Sequence, residues 1–122
     1  MASALLGWRS FDILKLFVAT CVSIFAVSSA KAECSGEYCM SVKITSLYVD
    51  GDASNWVSTS GTETGLSCSP DSGKLLRLDQ TKVKSDWLYS LFLSAYTTGQ
   101  TLTIRVTASG QCVVRYAFIE PL

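Results

Sequence analysis

The stretch from Ser85 to Val106 (SDWLYSLFLSAYTTGQTLTIRV) constrains the fold most, because it predicts one helix that continues directly into a strand. Ser85 suits the N-cap position, and Asp86 lies in the first turn, where the helix dipole favours a carboxylate. Gly99 suits the left-handed residue that ends a helix. Residues 101–106 then alternate polar and apolar side chains. This alternation predicts a half-buried strand.

The first 32 residues have the three parts of a secretory signal peptide. Arg9 and Lys15 precede the apolar run 16–27, and Ala30-Lys31-Ala32 follows it as a cleavage site. The run is shorter than the roughly 20 residues that span a bilayer, which disfavours an N-terminal membrane anchor. The context of Cys21 disfavours lipid attachment. We therefore predict cleavage after Ala32, export to the periplasm or beyond, and one domain over residues 33–122, with no membrane span after cleavage.

Charge and composition exclude several functions for the mature domain. Removing the signal peptide leaves seven Lys or Arg residues and nine Asp or Glu residues, a net charge of −2. A nucleic-acid partner is disfavoured, because phosphates require a basic surface. The chain contains no histidine, so the commonest general base and the commonest metal ligand are both absent from the sequence. We predict a protein that is not an enzyme and has no cofactor.

The mature domain has an even number of cysteines, which predicts two disulfides in an exported chain. Three pairings are open, and we favour a long-range Cys68–Cys112 bond with a local Cys34–Cys39 bond. The alternative is a metal site made of all four cysteines. It is disfavoured because the chain has no C-x-x-C pair.

The remaining segments predict five strands, with the helix between the third and the fourth. Residues 33–39 form a short arm before the first strand, and a bulge or change of face is expected near Ser46. The order β-β-β-α-β-β predicts a mainly β fold with one helix, an OB-fold-like five-stranded barrel. The alternative is an open α+β sheet capped by the helix. The predicted strands cover residues 40–50, 55–60, 74–79, 101–107 and 112–120.

The predicted helix has more apolar surface than one core face requires. At 100° per residue, Leu88, Leu91, Phe92 and Ala95 lie on one side and are expected to contact the core. A second apolar stripe consists of Tyr89, Leu93 and Tyr96. Two alternatives remain open for this stripe: the loop 58–67 covers it, or it forms a subunit interface, as exposed apolar patches often do.

The helix-to-strand segment resembles that of the B subunits of subtilase cytotoxin and, more loosely, of pertussis-like toxins. The resemblance is strongest from residue 87 to residue 106, and Val42, Ile44 and Thr45 of the first strand are similar too. It implies an OB-fold, a homo-pentamer, binding of sialylated glycans on host cells and an exported A subunit as a partner. The similar residues are Tyr96-Thr97-Thr98-Gly99-Gln100, with Leu88-Tyr89 and Ala95 before them and Ile104 after them.

The sequence departs from that family where the family binds sugar. A serine precedes the first strand in the family, but the matched register places Met40 there and Ser41 one residue later. Tyrosines that follow the family's isoleucine are replaced here by Arg105 and Val106. From the aromatic and polar residues themselves, we predict a ligand site that uses Ser41, Tyr48, Trp56 and Arg105, with Ser58 and Arg115 as further candidates.

Three functions remain open. The first is an exported binding module that recognises glycans as a pentamer. The second is a stand-alone periplasmic or envelope protein that acts through protein contacts at Tyr89, Leu93 and Tyr96. The third, an enzyme, would depend on carboxylates such as Asp50 and Asp52. This pair is disfavoured, because D-x-D in a loop is more typical of a turn.

Overall fold

The structure is a computed structural model that describes residues 30–51, 54–82 and 84–121. The predicted signal peptide lies almost entirely outside these residues. None of the helices in the described part of the chain is long and apolar enough to cross a membrane. The elements are β1 (Glu33–Ser35), β2 (Tyr38–Val42), β3 (Ile44–Val49), β4 (Asn55–Thr59), a 3-10 helix (Glu63–Gly65), β5 (Leu76–Leu78), α1 (Ser85–Thr98), β6 (Leu102–Val106) and β7 (Val114–Ile119).

The strands form two antiparallel sheets, one of four strands in the order β1-β2-β6-β7 and one of three strands in the order β3-β4-β5. The chain passes from the first sheet to the second at Lys43, the one residue between β2 and β3. Ser41 has a φ of 53°, a left-handed conformation that is uncommon outside glycine. It lies where the register of β2 against β6 shifts. The irregularity predicted near Ser46 is confirmed as well, because the register of β3 against β4 shifts between Ile44 and Ser46.

The fold class is mainly β with one helix, as predicted. The described strands do not close into a barrel, so the open α+β alternative fits the architecture. Isolated parallel bridges, among them Ser69–Gln111 and Arg77–Val113, link the chain around the three-stranded sheet to the segment before β7. The predicted first strand is divided into β2 and β3. The predicted N-terminal arm is itself a hairpin with the two-residue turn Gly36-Glu37, in which Gly36 has a φ of 61°.

Helix α1 begins one residue earlier than the sequence suggested. Its N-cap is Lys84, with no side-chain cap hydrogen bond, and Ser85 is a buried residue of the first turn. The predicted end is confirmed. Gly99 has a φ of 69°, and its backbone N–H donates to the carbonyl of Ala95.

The core lies between the two sheets and beneath the helix, which packs against β3, β5 and β7. Phe92 and Ala95 are buried as predicted, whereas Leu88 and Leu91 are only half-buried. Burial of a side chain such as Phe92 contributes about 1.5–3 kcal/mol. The fully buried side chains from the strands are Cys39, Val42, Val57, Leu76, Leu78, Leu102, Ile104 and Val106.

Both predicted disulfides are present. Cys34 and Cys39 lie opposite each other in the β1–β2 hairpin, with their Cα atoms 4.0 Å apart. Cys68 and Cys112 are 44 residues apart in sequence and 5.0 Å apart at Cα. The long-range bond therefore ties the segment before β5 to the segment just before β7.

Candidate functional site

The outer face of the four-stranded sheet concentrates aromatic side chains around one arginine. Cross-strand register places Tyr38 opposite Arg105 and Arg105 opposite Tyr116, and it places Thr103 opposite Phe118. We call these five residues the aromatic sheet face. Residues opposite each other, or two apart on one strand, point to the same side of a sheet. Tyr116 and Phe118 are 41% and 49% exposed, so this face offers aromatic surface to a ligand.

Arg105 is fixed between two tyrosine rings. Its Cζ atom lies 5.6 Å from the ring centroid of Tyr38 and 5.8 Å from that of Tyr116. Its Nη2 atom donates to Glu37 Oε2 at 3.0 Å. Cation–π contacts and a charge-assisted hydrogen bond together hold the planar guanidinium in one orientation.

The contacts around Arg105 also shift the pKa values of Arg105 and Tyr38. The hydrogen bond to Glu37, followed by the charge of Tyr38, raises the pKa of Arg105 above its usual value. The hydrogen bond between the hydroxyls of Tyr38 and Tyr116, which are 3.3 Å apart, raises the pKa of Tyr38. Arg105 is therefore a permanent cation whose charge Glu37 balances. The cluster presents fixed hydrogen-bonding groups with little net charge.

A second polar cluster borders the aromatic sheet face at Glu120. Its carboxylate accepts hydrogen bonds from the Ser41 backbone N–H at 2.8 Å and from the Thr103 hydroxyl at 2.8 Å. Thr101 and the Ser41 hydroxyl also donate to it. Partial burial alone would raise the pKa of Glu120, but the hydrogen bonds from Thr103, Ser41 and Thr101 outweigh it and lower the pKa. Ser41 is thus already engaged by a side chain of the same protein.

Two of the predicted ligand residues lie on the other sheet. Tyr48 and Trp56 are cross-strand partners in β3 and β4. Tyr48 is 53% exposed, whereas Trp56 is half-buried with Arg77 Cζ 6.0 Å from its ring centroid. The buried hydroxyl of Ser58 lies 2.6 Å from that of Ser46. The four predicted residues therefore fall into two pairs, Ser41 with Arg105 and Tyr48 with Trp56.

The predicted interface stripe on α1 is divided between one residue that packs against the core and two that are exposed. Tyr89 is half-buried and packs against the core, while Leu93 and Tyr96 are 44% and 50% exposed. The loop 58–67 packs elsewhere: a side chain added at Gly61 would meet the Sγ of Cys34, and one at Gly65 would meet the Cys34 carbonyl. The loop thus lies against the N-terminal hairpin and leaves Leu93 and Tyr96 exposed.

The sequence did not point to Glu37, Tyr38, Tyr116 or Phe118 as site residues. Tyr38 and Arg105 are 67 positions apart, and only the β2–β6 register brings them together. One signal was present in residues 112–120, where the aromatic residues Tyr116 and Phe118 recur with a period of two on what became the outer face. The pair Asp50 and Asp52 cannot be placed, because Asp52 lies outside the described residues.

Comparison of the chain with protein-family models gives no match, and comparison with curated proteins gives none either. Over residues 30–51, 54–82 and 84–121, no group of three or more His, Cys, Asp or Glu side chains is arranged to hold a metal ion.

Proposed function

We propose that this protein is an exported, non-enzymatic binding module that recognises neutral carbohydrate through the aromatic sheet face. The observation that carries the proposal is Arg105, held between two tyrosine rings beside the exposed Phe118. Sugars present apolar C–H faces that pack on aromatic rings, and hydroxyl groups that pair with fixed polar side chains. The aromatic sheet face supplies both kinds of contact without a group poised for acid–base chemistry.

The charges favour a neutral sugar over a sialylated one. Arg105 is already paired with Glu37, and both donors of Ser41 point to Glu120. To reach Arg105 or Ser41, a sialate carboxylate would have to displace the carboxylate of Glu37 or Glu120, or lie beside it. Two carboxylates in contact repel each other. Uncharged hydroxyls, by contrast, can donate to the same carboxylates and so add hydrogen bonds. The proposal therefore departs from the sialylated ligands that the toxin resemblance implies.

Assembly into a homo-pentamer with an exported A subunit is the second part of the proposal. Its support is the exposed pair Leu93 and Tyr96, which one copy of the described chain leaves uncovered. The order of the elements also supports it. The helix lies between β5 and β6, at the place in the chain order where the resemblance expects it, although the two sheets do not close into a barrel.

The experiment is glycan-array binding by the purified mature protein, with matched pairs of sialylated and desialylated glycans. We expect binding to the desialylated member of each pair. Tyr116→Ala and Phe118→Ala should remove this binding, whereas Tyr48→Ala, a similarly exposed tyrosine on the other sheet, should leave it unchanged. Loss of binding only with Tyr48→Ala would assign the site to the three-stranded sheet and overturn the proposed face.

The second candidate is a protein that acts through protein contacts and does not bind glycans. The observation in its favour is that Met40, 52% exposed, adds aliphatic surface next to the aromatic sheet face. No binding to any glycan on the array, together with a monomeric mass, would favour this candidate over the first.

A further inference from the structure

A groove along the start of α1 combines an apolar floor with a basic rim. It has a volume of about 530 Å³, within the range of small-molecule sites, and Leu88, Val113 and Val114 line it. A second groove of about 310 Å³ adjoins it and shares Lys84, Leu88 and Arg115. We call the two together the helix groove. It lies between α1 and β7.

Cations dominate the rim of the helix groove. Lys82, Lys84 and Arg115 all line it and are exposed. The one acidic residue in the lining is Asp79, whose Oδ1 atom already accepts hydrogen bonds from the backbone N–H and the hydroxyl of Thr81, at 2.9 and 2.6 Å. This carboxylate is therefore satisfied locally, whereas within the described residues the three cations form no ion pair.

The start of the helix adds to this positive field. α1 has no side-chain cap at Lys84, so the first turn presents backbone N–H groups and the positive end of the helix dipole. Asp86 in the first turn offsets part of this field. Trp87, the next residue, is 72% exposed, with Lys84 Nζ 5.8 Å from its ring centroid. An unusually exposed indole therefore lies at the mouth of the groove.

We propose that the helix groove binds an amphipathic organic anion, an alkyl chain that ends in a carboxylate or a similar anionic group. The chain lies on Leu88, Val113 and Val114, and the head group lies among Lys82, Lys84 and Arg115. The apolar floor disfavours a purely polar anion, which would gain nothing from it. The three rim cations disfavour a neutral or cationic amphiphile. The helix groove and the aromatic sheet face share one residue, Tyr116, which lines the second groove. The three rim cations are not part of the aromatic sheet face, so variants of these cations test the groove separately from carbohydrate binding.

The test is calorimetric titration of the mature protein with decanoate below its micelle concentration, with decyltrimethylammonium as the matched cation. Decanoate should bind with one site, and the cation should bind at least about tenfold more weakly. Each methylene added between octanoate and dodecanoate should strengthen binding by up to about fourfold, in line with the burial of apolar surface. Bound ligand should also shift the emission of Trp87 to shorter wavelength in a Trp56→Phe background.

Charge reversal provides the decisive variant. Lys84→Glu combined with Arg115→Glu should reverse the preference, so that the cation binds more tightly than decanoate. Lys43→Gln combined with Lys74→Gln, exposed lysines outside the groove lining, should bind decanoate like the parent protein. Should the reversed variant fail to fold by circular dichroism, Lys84→Gln with Arg115→Gln should weaken decanoate binding about three- to tenfold. Equal binding of both amphiphiles by the parent protein, or no effect of the rim variants, would overturn the proposal.

Discussion

Glu120 shows how one side chain past the end of a strand stabilises a sheet edge. Its carboxylate receives hydrogen bonds from β2 through Ser41, from β6 through Thr103, and from Thr101 just before β6. It therefore connects three segments of the four-stranded sheet at the end opposite the Gly36-Glu37 turn. It also accepts from the backbone of Ser41, the residue in the left-handed conformation, and so stabilises that irregularity.

We predict that Glu120→Gln lowers the free energy of unfolding by about 1 kcal/mol at pH 7. The charge-assisted hydrogen bonds become neutral ones, and solvent at this partly exposed site moderates the loss. Urea unfolding followed by circular dichroism measures the change. Glu33→Gln is the matched control, since Glu33 is exposed, and it should unfold like the parent. Equal stability of all three proteins would contradict the role of Glu120.

The same carboxylate predicts a pH dependence. The pKa of Glu120 is lowered in the folded state, so its ionised form is favoured by folding. The stabilisation is complete above the unfolded-state pKa, about 4.3, and disappears as the pH falls through the lower folded-state pKa. Unfolding at pH 7, 5, 4 and 3 should show parent and Glu120→Gln converging only at the acidic end. A difference that persists unchanged at pH 3 would contradict this assignment.

Carbohydrate binding should depend on the planar shape of the Arg105 guanidinium as well as on its charge. We predict that Arg105→Lys weakens carbohydrate binding at least about fivefold, because a lysine ammonium has no planar fork to stack between Tyr38 and Tyr116. Calorimetric titration with a glycan identified on the array measures the effect. Arg77→Lys, which alters the arginine over Trp56 on the other sheet, is the control and should bind normally.

At the scale of elements, the end of α1 can be tested without disturbing packing. We predict that Gly99→Ala lowers stability by about 1–2 kcal/mol, since a φ of 69° strains an L-residue while the added Cβ meets nothing within 4 Å. Gly99→Asn should cost less, because asparagine tolerates this conformation. Thermal unfolding of the three proteins ranks them. An alanine variant as stable as the parent would show that the helix end tolerates rearrangement.

The proposed homo-pentamer can be tested on the exposed side of α1. Leu93→Ser with Tyr96→Ser should reduce the mass of the mature protein in sedimentation equilibrium from that of a pentamer to that of a monomer. The reason is that these side chains are the apolar surface of the helix left uncovered near its C-terminal end. Trp87→Ser, which removes the exposed indole near the helix start, should leave the mass unchanged. A monomeric parent protein would contradict the prediction directly.

Elements with strong local patterns could be predicted from the sequence, and elements made by distant contacts could not. Gly99 could be recognised as the helix end because the left-handed backbone conformation that it adopts there is a property of that one residue. β1 was missed because Glu33-Cys34-Ser35 has no apolar alternation, and the strand exists through pairing with β2 and the bond to Cys39. The break at Lys43 was missed because Val42 and Ile44 continue the alternation on both sides of it.

At the scale of the molecule, the candidate site was predictable only in part. Ser41 and Arg105 were chosen for their chemistry, and both lie on or beside the aromatic sheet face. Their partners Glu37 and Glu120 were not foreseeable, since the contacts depend on the register between strands far apart in sequence. The same partners change the predicted chemistry, because the Arg105 guanidinium and the Ser41 hydroxyl, both predicted as ligand contacts, are each engaged by a carboxylate of the protein.

The two disulfides should differ in their contribution to stability. We predict that Cys68→Ala with Cys112→Ala lowers the free energy of unfolding by about 4 kcal/mol, and Cys34→Ala with Cys39→Ala by about 2 kcal/mol. The longer loop restricts the unfolded chain more. Urea unfolding of both double variants under identical conditions gives the comparison. A larger loss for the Cys34–Cys39 variant would indicate that packing in the hairpin outweighs chain entropy.

The hairpin that contains Cys34 and Cys39 also bears on the order in which the thiols are oxidised. These two cysteines are five residues apart, whereas Cys68 must wait for Cys112, 44 residues later. As the chain is synthesised from its N-terminus, the small ring can therefore close long before Cys112 exists. Once it has closed, Cys68 and Cys112 have only each other among the four cysteines of the mature domain. The direction of synthesis thus favours the connectivity that the folded domain contains.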